Sequence, residues 1–538
     1  AQRKIMTDTF FNPVETIERR RYGRPHSDEE IEQFIDQYLK GQVKEYQMSA
    51  WLMACCFSPL TERETATLTR CVCQSGLILN WDDNNNSNSS SNDTDRPRLV
   101  DKHSSGGVGD KVSLILTPLV VAAAESAGVR VAVPMMAGRG LGHTGGTIDK
   151  LESLKGFNAA NLSVEAFQNI VIGSKASGSD NETTSKPVGC AIVGQSSDLC
   201  PADKRLYALR DVTCTVSCPA LMTASIMSKK IAENPDSIVL DIKYGNGAFR
   251  SNVNEALELA DGMVAVGEAN GLNPTTALLT KMDHPIGSAV GNWLEVRECI
   301  HIMIGGFANR TNDDNAKDHG DYPGGDAEFF RLCNDLIALV VIQAGQMLYQ
   351  STTQENTDSA TQTEKSFPTT LDGWTKFVYG VLDSGAALTK FREMALAQEA
   401  DPEYLEQALT QPYNIPLATY VATWESTETG YIWDIPAKTI GDVGVMIGAG
   451  RTETGQTVDP EAGVLLFVKV GDAIEPGKVV AKVFCNQSQS QADKALVIVQ
   501  KAIRIESEPM AVTKDENDGG IVTHCVTKSG REKFAFPD

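Results

Sequence analysis

The sequence predicts an α/β protein with a helical lobe, a large α/β lobe holding a mixed sheet, and a C-terminal α+β, barrel-sandwich-like module. Three observations predict it. Residues 1–80 carry two helix-capping signatures, each opening a run with helical apolar spacing. From 97 to about 345, short β-rich runs alternate with Gly-rich turns and helical segments, the pattern of an α/β lobe with a partly parallel sheet. After Gly430 the text becomes short β runs split by Gly, Asp and Pro. At 538 residues the chain exceeds what one small core can organise, so two or three lobes are expected.

The signatures are Ser27-Asp-Glu-Glu30 and Thr61-Glu-Arg-Glu64, where the hydroxyl caps the first turn and the glutamate reaches back to the cap. Asn84–Asn92 contains only Asn and Ser and cannot bury enough surface to order itself, which marks 82–95 as a polar insertion. Val129–Val133 and Ile238–Ile242 read as strands, and the segments 95–199 and 236–375 as the α/β lobe. Residues 351–370 read as a second polar insertion. Tyr431–Ile435, Val443–Ile447, Val464–Val470 and Val479–Phe484 read as short strands of a module over 420–538, closed by an amphipathic helix around Ala492–Ile503.

Charge and composition narrow the function. Lys and Arg number 48 and Asp and Glu 70, so the net charge is 48 − 70 = −22, a poor balance for sequence-independent binding to nucleic acid or an anionic membrane. The twelve cysteines are scattered: Cys55/Cys56 lie in the apolar run Trp51–Phe57 and Cys71-x-Cys73 in a helical pattern, without the second pair a zinc site needs. Reduced, largely buried thiols are expected, with no metal and no cofactor. Ala1-Gln2-Arg3-Lys4 leads into no signal-peptide core, and the longest apolar stretch, Val112–Ala124, is interrupted by Thr117 and Pro118 and is too short to span a bilayer. A cytoplasmic setting follows as the expectation.

Asp101-Lys-His-Ser-Ser-Gly-Gly-Val-Gly-Asp110 is the most informative stretch. Its glycines let backbone N–H groups approach an anion, and a helix is expected over Lys111–Ala124, whose N-terminus offers unpaired donors and partial positive charge. Lys102 adds a full charge; Ser104, Ser105 and Ser113 add hydroxyls. Glycines alone read equally well as a tight turn. The lysine, histidine and serines beside them favour an anion site.

A second Gly-rich segment, Gly138-Arg-Gly-Leu-Gly-His-Thr-Gly-Gly-Thr-Ile-Asp-Lys-Leu-Glu152, follows the run Val129–Met136. It resembles the signature of thymidine and pyrimidine nucleoside phosphorylases, and DKHSSGGVGDK resembles their phosphate loop. Gln195-Ser-Ser, Ala202-Asp-Lys-Arg205, Tyr207-x-x-Arg210-Asp211 and Ala224-Ser-x-x-x-Lys-Lys230 are similar to that family's base-binding region, and Gly430-Tyr431 through Gly471-Asp472 to its C-terminal domain. Several distinct motifs occur in the family's order, which makes the resemblance specific.

The resemblance implies a helical lobe made of 1–80 plus 200–235 that carries the base grip and a homodimer contact, and a reversible phosphorolysis of thymidine to free base and 2-deoxyribose 1-phosphate. Arg210, Ser225 and Lys229 would hold the pyrimidine, with Ser225 and Lys229 four apart on one helix face. His103 would assist at the base carbonyl. Phosphate would lie on Lys102, Ser104, Ser113 and Thr147, and lobe closure would exclude water. His143, in the Gly-rich turn, reads as a turn-shaping residue.

Three positions depart from or refine the pattern. Ala137 stands where the family usually has a phosphate-binding serine. Met135 stands where relatives accepting ribose carry lysine, which implies a preference for 2′-deoxynucleosides. Lys111 replaces a threonine that, in some bacterial relatives, helps bind a monovalent cation with residues matching Gly109 and Glu298; a Lys111–Glu298 pair and potassium-independent turnover are expected.

Rival readings are a broader pyrimidine nucleoside phosphorylase that also accepts uridine, a phosphoribosyltransferase, which needs Mg²⁺ and pyrophosphate recognition, and an AMP phosphorylase, whose group carries a further N-terminal domain. A biotin- or lipoyl-type carrier is disfavoured because the expected hairpin tip, Arg451–Ala462, holds no lysine. A non-catalytic protein keeping the fold is supported only by Ala137.

Overall fold

The computed structural model describes residues 11–81, 96–140, 142–173, 186–196, 198–306, 325–353, 367–451, 456–510 and 520–535. The insertion at 82–95 lies outside them. The chain divides into two compact units, one from Ala1–Ile78 with Ser197–Ala232, the other from Leu79–Ser196 with Glu233–Asp538.

The first unit is helical. Helices α1 (Pro13–Arg21), α2 (Asp28–Leu39), α3 (Glu45–Phe57) and α4 (Glu62–Cys73) come first. Both capping boxes form: Ser27 and Glu30 cap α2, and Thr61 and Glu64 cap α4. In α2 the buried residues Ile31, Phe34, Ile35 and Tyr38 recur every three or four positions, so one stripe faces the core with Met48, Trp51 and Leu52 of α3. A buried ion pair ties the bundle together. Arg20 reaches Glu64 at 2.5 Å and donates to the carbonyls of Ser58 and Pro59, while Glu64 also accepts from the backbone N–H of His26 at 2.7 Å.

The second unit opens with β1 (Arg98–Ser104), α5 (Val112–Ser126), β2 (Val131–Met136), α6 (Thr147–Leu151), α7 (Val164–Ile172) and β3 (Cys190–Val193). The chain then passes through α8 (Pro201–Val212) and α9 (Pro219–Glu233) of the helical unit and returns as β4 (Ser237–Tyr244), α10 (Val253–Ala269) and β5 (Thr275–Lys281). Strands β5-β4-β1-β2-β3 are parallel neighbours in that order. Helix α5 is buried on all sides from Val112 to Ala124. It packs on β2 and against three later helices, α13 (Asn334–Thr353), α14 (Leu371–Asp383) and α15 (Ala386–Ala397). Between β5 and α13 lie β6 (Ala289–Val290), α11 (Asn292–Ile304) and α12 (Gly325–Leu332). After α16 (Pro402–Thr410) come β7 (Tyr420–Glu425), β8 (Gly430–Asp434), α17 (Ala437–Met446), β9 (Gly463–Leu466), β10 (Ala473–Ile474), β11 (Val479–Cys485), α18 (Gln489–Ala502) and β12 (Arg504–Glu506). They form a four-stranded sheet ordered β6-β9-β11-β7 and a three-stranded one ordered β10-β8-β12.

The structure corrects the sequence reading in three places. Val443–Ile447 is helical, not a strand: in α17 the buried Ile440, Val443 and Gly444 repeat at helical spacing. The stretch 351–370 is not wholly an insertion. Helix α13 continues to Thr353, and the hydroxyls of Ser351 and Thr352 turn back onto the Leu348 carbonyl, which satisfies them inside a buried helix; 354–366 lies outside the described residues. Finally, 420–538 is not one module. Strands β13 (Val522–Thr527) and β14 (Gly530–Lys533) join the large sheet antiparallel to β5, giving seven strands ordered β14-β13-β5-β4-β1-β2-β3. They cover what would otherwise be the open edge of β5 and make the sheet mixed. Among the described residues, no single helix is long and apolar enough to cross a membrane.

Removing one partner of a buried ion pair leaves an uncompensated charge. Arg20→Ala is therefore expected to destabilise the helical unit by about 3 kcal/mol, read from the loss of amide hydrogen-exchange protection in α1–α4. Adding Glu64→Leu is expected to recover much of that protection.

Candidate active site

The loop after β1 sits where the strand order reverses, since the chain moves from β1 to β2 and β3 on one side and to β4 and β5 on the other. In open α/β sheets the carboxyl ends of the strands at such a reversal are the usual place for a ligand. Gly106 (φ +99°) and Gly109 (φ +68°) take left-handed conformations that side chains rarely adopt, and a Cβ on Gly109 would lie 2.6 Å from the Ile286 carbonyl oxygen. Helix α5 begins just behind, and its N-cap, Lys111, supplies no side-chain cap.

Four buried charges underlie this loop. Lys102 and Ser104 share one face of β1, and Asp241 and Lys243 share the matching face of its parallel neighbour β4, with Ser104 paired in register to Asp241. Lys243 Nζ lies 2.7 Å from Asp241 and 3.8 Å from Asp110. Lys102 Nζ is 3.5 Å from Asp241, is enclosed, and has no hydrogen-bond partner among the described residues. Thr280 donates to the other Asp241 oxygen at 2.6 Å. Burial alone would raise the Asp110 carboxyl, but Lys243, Lys102, the Ser104 hydroxyl and Lys150 hold it well below the usual carboxylate range. Ser104 Oγ is 2.5 Å from Asp110 and accepts from Gly106 N–H at 3.2 Å. Ser105 accepts from the Lys243 N–H, so its hydroxyl braces the strands. Ser113 is buried in the first turn of α5, and Thr147, half-buried, opens α6. His103 is half-buried and alternates to the other face of β1, so it is not part of the quartet.

The second Gly-rich loop is bonded to the first, Gly145 N–H to the Gly107 carbonyl at 3.3 Å. Asp149 clamps it, accepting from Gly140 N–H at 2.8 Å and pairing with Arg139 and Arg451. Lys150 donates to the Asp110 carbonyl and pairs with Glu295 at 2.9 Å. His143 hydrogen-bonds to the Gly247 carbonyl at 3.2 Å, a contact that shapes the turn. Met135 is sealed in the core with 1% exposure, its sulfur accepting from Thr117 of α5. Ala137 offers only its backbone here, bonding through its N–H to Val193.

Lys111 pairs with Glu298, as expected from the sequence, and also donates to the Ala289 carbonyl. Glu298 accepts from the backbone and hydroxyl of Ser288 as well. Burial opposes its ionisation, yet Lys111 and Ser288 hold the carboxyl below its ordinary value.

In the helical unit, Ser225 and Lys229 of α9 meet Asp203 and Tyr207 of α8. Lys229 Nζ lies 2.6 Å from Asp203 and 3.0 Å from Ser225 Oγ, and sits over the Tyr207 ring at 5.5 Å. Arg210 is buried and donates to the carbonyls of Thr215, Leu221 and Val216. Three of its five N–H groups are thereby engaged with the turn between the two helices and the first turn of α9, which leaves two among the described residues.

Residues 96–369 match the a/b domain of a glycosyl transferase family, 14–76 match the helical bundle domain of the same family, and 431–506 match a pyrimidine nucleoside phosphorylase C-terminal domain. The pyrimidine-nucleoside phosphorylase of Staphylococcus epidermidis is 36% identical over 500 residues, covering 93% of this chain and 98% of that one. That of Geobacillus stearothermophilus is 36% identical over 501 residues, covering 92% and 97%. The chain belongs to the pyrimidine nucleoside phosphorylase family. Superposition on an anthranilate phosphoribosyltransferase from Thermus thermophilus gives a TM-score of 0.42 at 15% identity over 72% of this chain and 99% of that one, too distant to bear on the site.

Within this member of the pyrimidine nucleoside phosphorylase family, sequence reasoning missed Asp241 and Lys243 and assigned no role to Asp110 or Asp203. A signal was present. Asp241-Ile-Lys243 places two charges two apart, on one face of an otherwise apolar strand. Lys111→Met is expected to leave Glu298 buried and unpaired at a cost of about 3 kcal/mol or more. Because the folded Glu298 carboxyl is depressed, its stabilisation is present above about pH 4.3, the unfolded value, and is lost as pH falls through the folded value. The stability gap between the parent and Lys111→Met, read from denaturant unfolding followed by circular dichroism, should therefore be full near neutral pH and narrow as pH falls through that range.

Proposed function

We propose that this protein catalyses the reversible phosphorolysis of pyrimidine nucleosides, with thymidine and related 2′-deoxynucleosides preferred. The observation that carries the proposal is the Lys102 ammonium, enclosed and without a hydrogen-bond partner among the described residues beneath a Gly-rich turn and a helix N-terminus. Its one carboxylate, Asp241, stands 3.5 Å away without a hydrogen bond, so the buried ammonium still has donors that an anion in the loop would take up. Membership of the family and relatives named pyrimidine-nucleoside phosphorylases support phosphate as that anion.

In this reading phosphate rests on Lys102, Ser104, Ser113 and Thr147 and attacks the anomeric carbon from the face opposite the base. A phosphate lone pair makes the new C–O bond, and the C–N bond pair leaves with the base. Arg210, Ser225 and Lys229 stabilise the negative charge spreading over the departing pyrimidine, and His103 donates toward its carbonyl. Asp203 accepts from Lys229 at 2.6 Å and fixes where its ammonium points. The resemblance puts a ribose-contacting lysine at this position in relatives that accept ribose; Met135, sealed in the core with its sulfur on Thr117, supplies no such donor. A cytoplasmic homodimer built through the helical lobe belongs to the same reading, and no cofactor or metal is invoked.

A nucleoside panel assayed with and without phosphate tests this. Thymine release is expected only with phosphate, and kcat/KM for thymidine should exceed that for uridine by about tenfold, the worth of one hydrogen bond. Equal turnover of uridine would support the broader enzyme, and no release at all a non-catalytic protein. Lys102→Met is expected to reduce kcat/KM for phosphate by about 10²-fold or more. Because the Lys111 ammonium already neutralises Glu298, potassium should leave the rate unchanged, and stimulation by added potassium chloride over sodium chloride would overturn that part.

A further inference from the structure

We infer that Asp110, acting through Ser104, makes the anion loop selective for an oxyanion that carries its own hydrogen, so that hydrogen phosphate is bound in preference to fully deprotonated tetrahedral anions. This rests on the phosphorolysis reading.

A serine hydroxyl has one hydrogen and two lone pairs. Ser104 Oγ lies 2.5 Å from Asp110 Oδ2, and an ionised carboxylate can only accept, so the serine hydrogen goes to Asp110. One lone pair takes the Gly106 N–H at 3.2 Å. A single acceptor is left for a guest. An anion oxygen meeting it must bring a hydrogen; a bare oxygen would face a lone pair with a carboxylate behind it.

Asp110 is not free to turn away. Its Oδ2 lies 3.8 Å from Lys243, its Oδ1 accepts from Val112 N–H at 3.4 Å, and its carbonyl takes the Lys150 ammonium at 2.6 Å. Lys102 attracts any anion and cannot discriminate, so selection falls to Ser104. Phosphate keeps at least one P–OH throughout the neutral range, and sulfate keeps none. The reaction balance needs that hydrogen too. Hydrogen phosphate dianion and nucleoside give a sugar 1-phosphate dianion and a neutral base, so the hydrogen brought in on phosphate is matched by one leaving on the base nitrogen.

The test measures binding of phosphate, arsenate, sulfate and monofluorophosphate to the full chain by calorimetry, alongside phosphate-dependent thymine release. Phosphate and arsenate, which carry a hydrogen, should bind at least about tenfold more tightly than sulfate and monofluorophosphate, which carry none. Asp110→Asn presents an amide that can donate to Ser104, freeing the hydroxyl hydrogen for the guest. Its preference should shrink to about twofold, with sulfate binding improved. Ser104→Ala removes the acceptor and should flatten the same ratio, which keeps the test open if Asp110→Asn does not fold. Equal affinity for sulfate and phosphate in a parent protein that releases thymine overturns this inference alone, as does a parent-like ratio in both variants. Failure of thymine release, with the hydrogen-bearing anions still preferred, overturns the phosphorolysis reading instead.

Discussion

Lys102, Asp241, Lys243 and Asp110 bury two positive and two negative charges under one loop, and the organisation of the site follows from how unevenly they are paired. Lys243 takes the close contact with Asp241 and a longer one with Asp110. Lys102 is left with one carboxylate at 3.5 Å and no hydrogen bond among the described residues. Buried ions must be paired and hydrogen-bonded to be tolerated. The incomplete member is the one beside the Gly-rich turn and the start of α5, where backbone donors already favour an anion. The quartet thus stores an unmet electrostatic requirement at the place where a phosphate would satisfy it.

The same device recurs in more complete forms. Lys111 with Glu298, Lys150 with Glu295, and Lys229 with Asp203 are each a buried ammonium held by a carboxylate. Such pairs add little net stability over apolar residues of like size, yet they fix where each cation points. Lys111 and Lys150 tie α5 and the second loop to α11, while Lys229 is aimed by α8. Donors that are set before a reaction need no reorganisation during it, the condition under which they stabilise developing charge best.

Interactions within a few residues were legible from sequence. The capping boxes at Ser27 and Thr61 formed because a cap closes over three residues and needs no tertiary context. The loop from Lys102 to Asp110 was legible because its glycines and the following apolar helix are contiguous. Val443–Ile447 was misread because five apolar residues fit either period, and only burial of Ile440 together with Val443 selected the helix. The return of β13 and β14 to the edge of β5 was hidden for another reason: their partner strand lies more than two hundred residues upstream.

By itself, then, the sequence determined the local chemistry: which segments cap, where backbone can wrap an anion, and which lysines and serines stand beside it. Tertiary structure alone decided which charges meet. Asp241 and Lys243 reach Lys102 and Asp110 only because β4 lies parallel to β1 across a long crossover, and Arg210 turns to the carbonyls of 215–221 only once α8 and α9 are packed. Those pairings depend on through-space distances in a medium that screens poorly, a quantity that residue order does not carry.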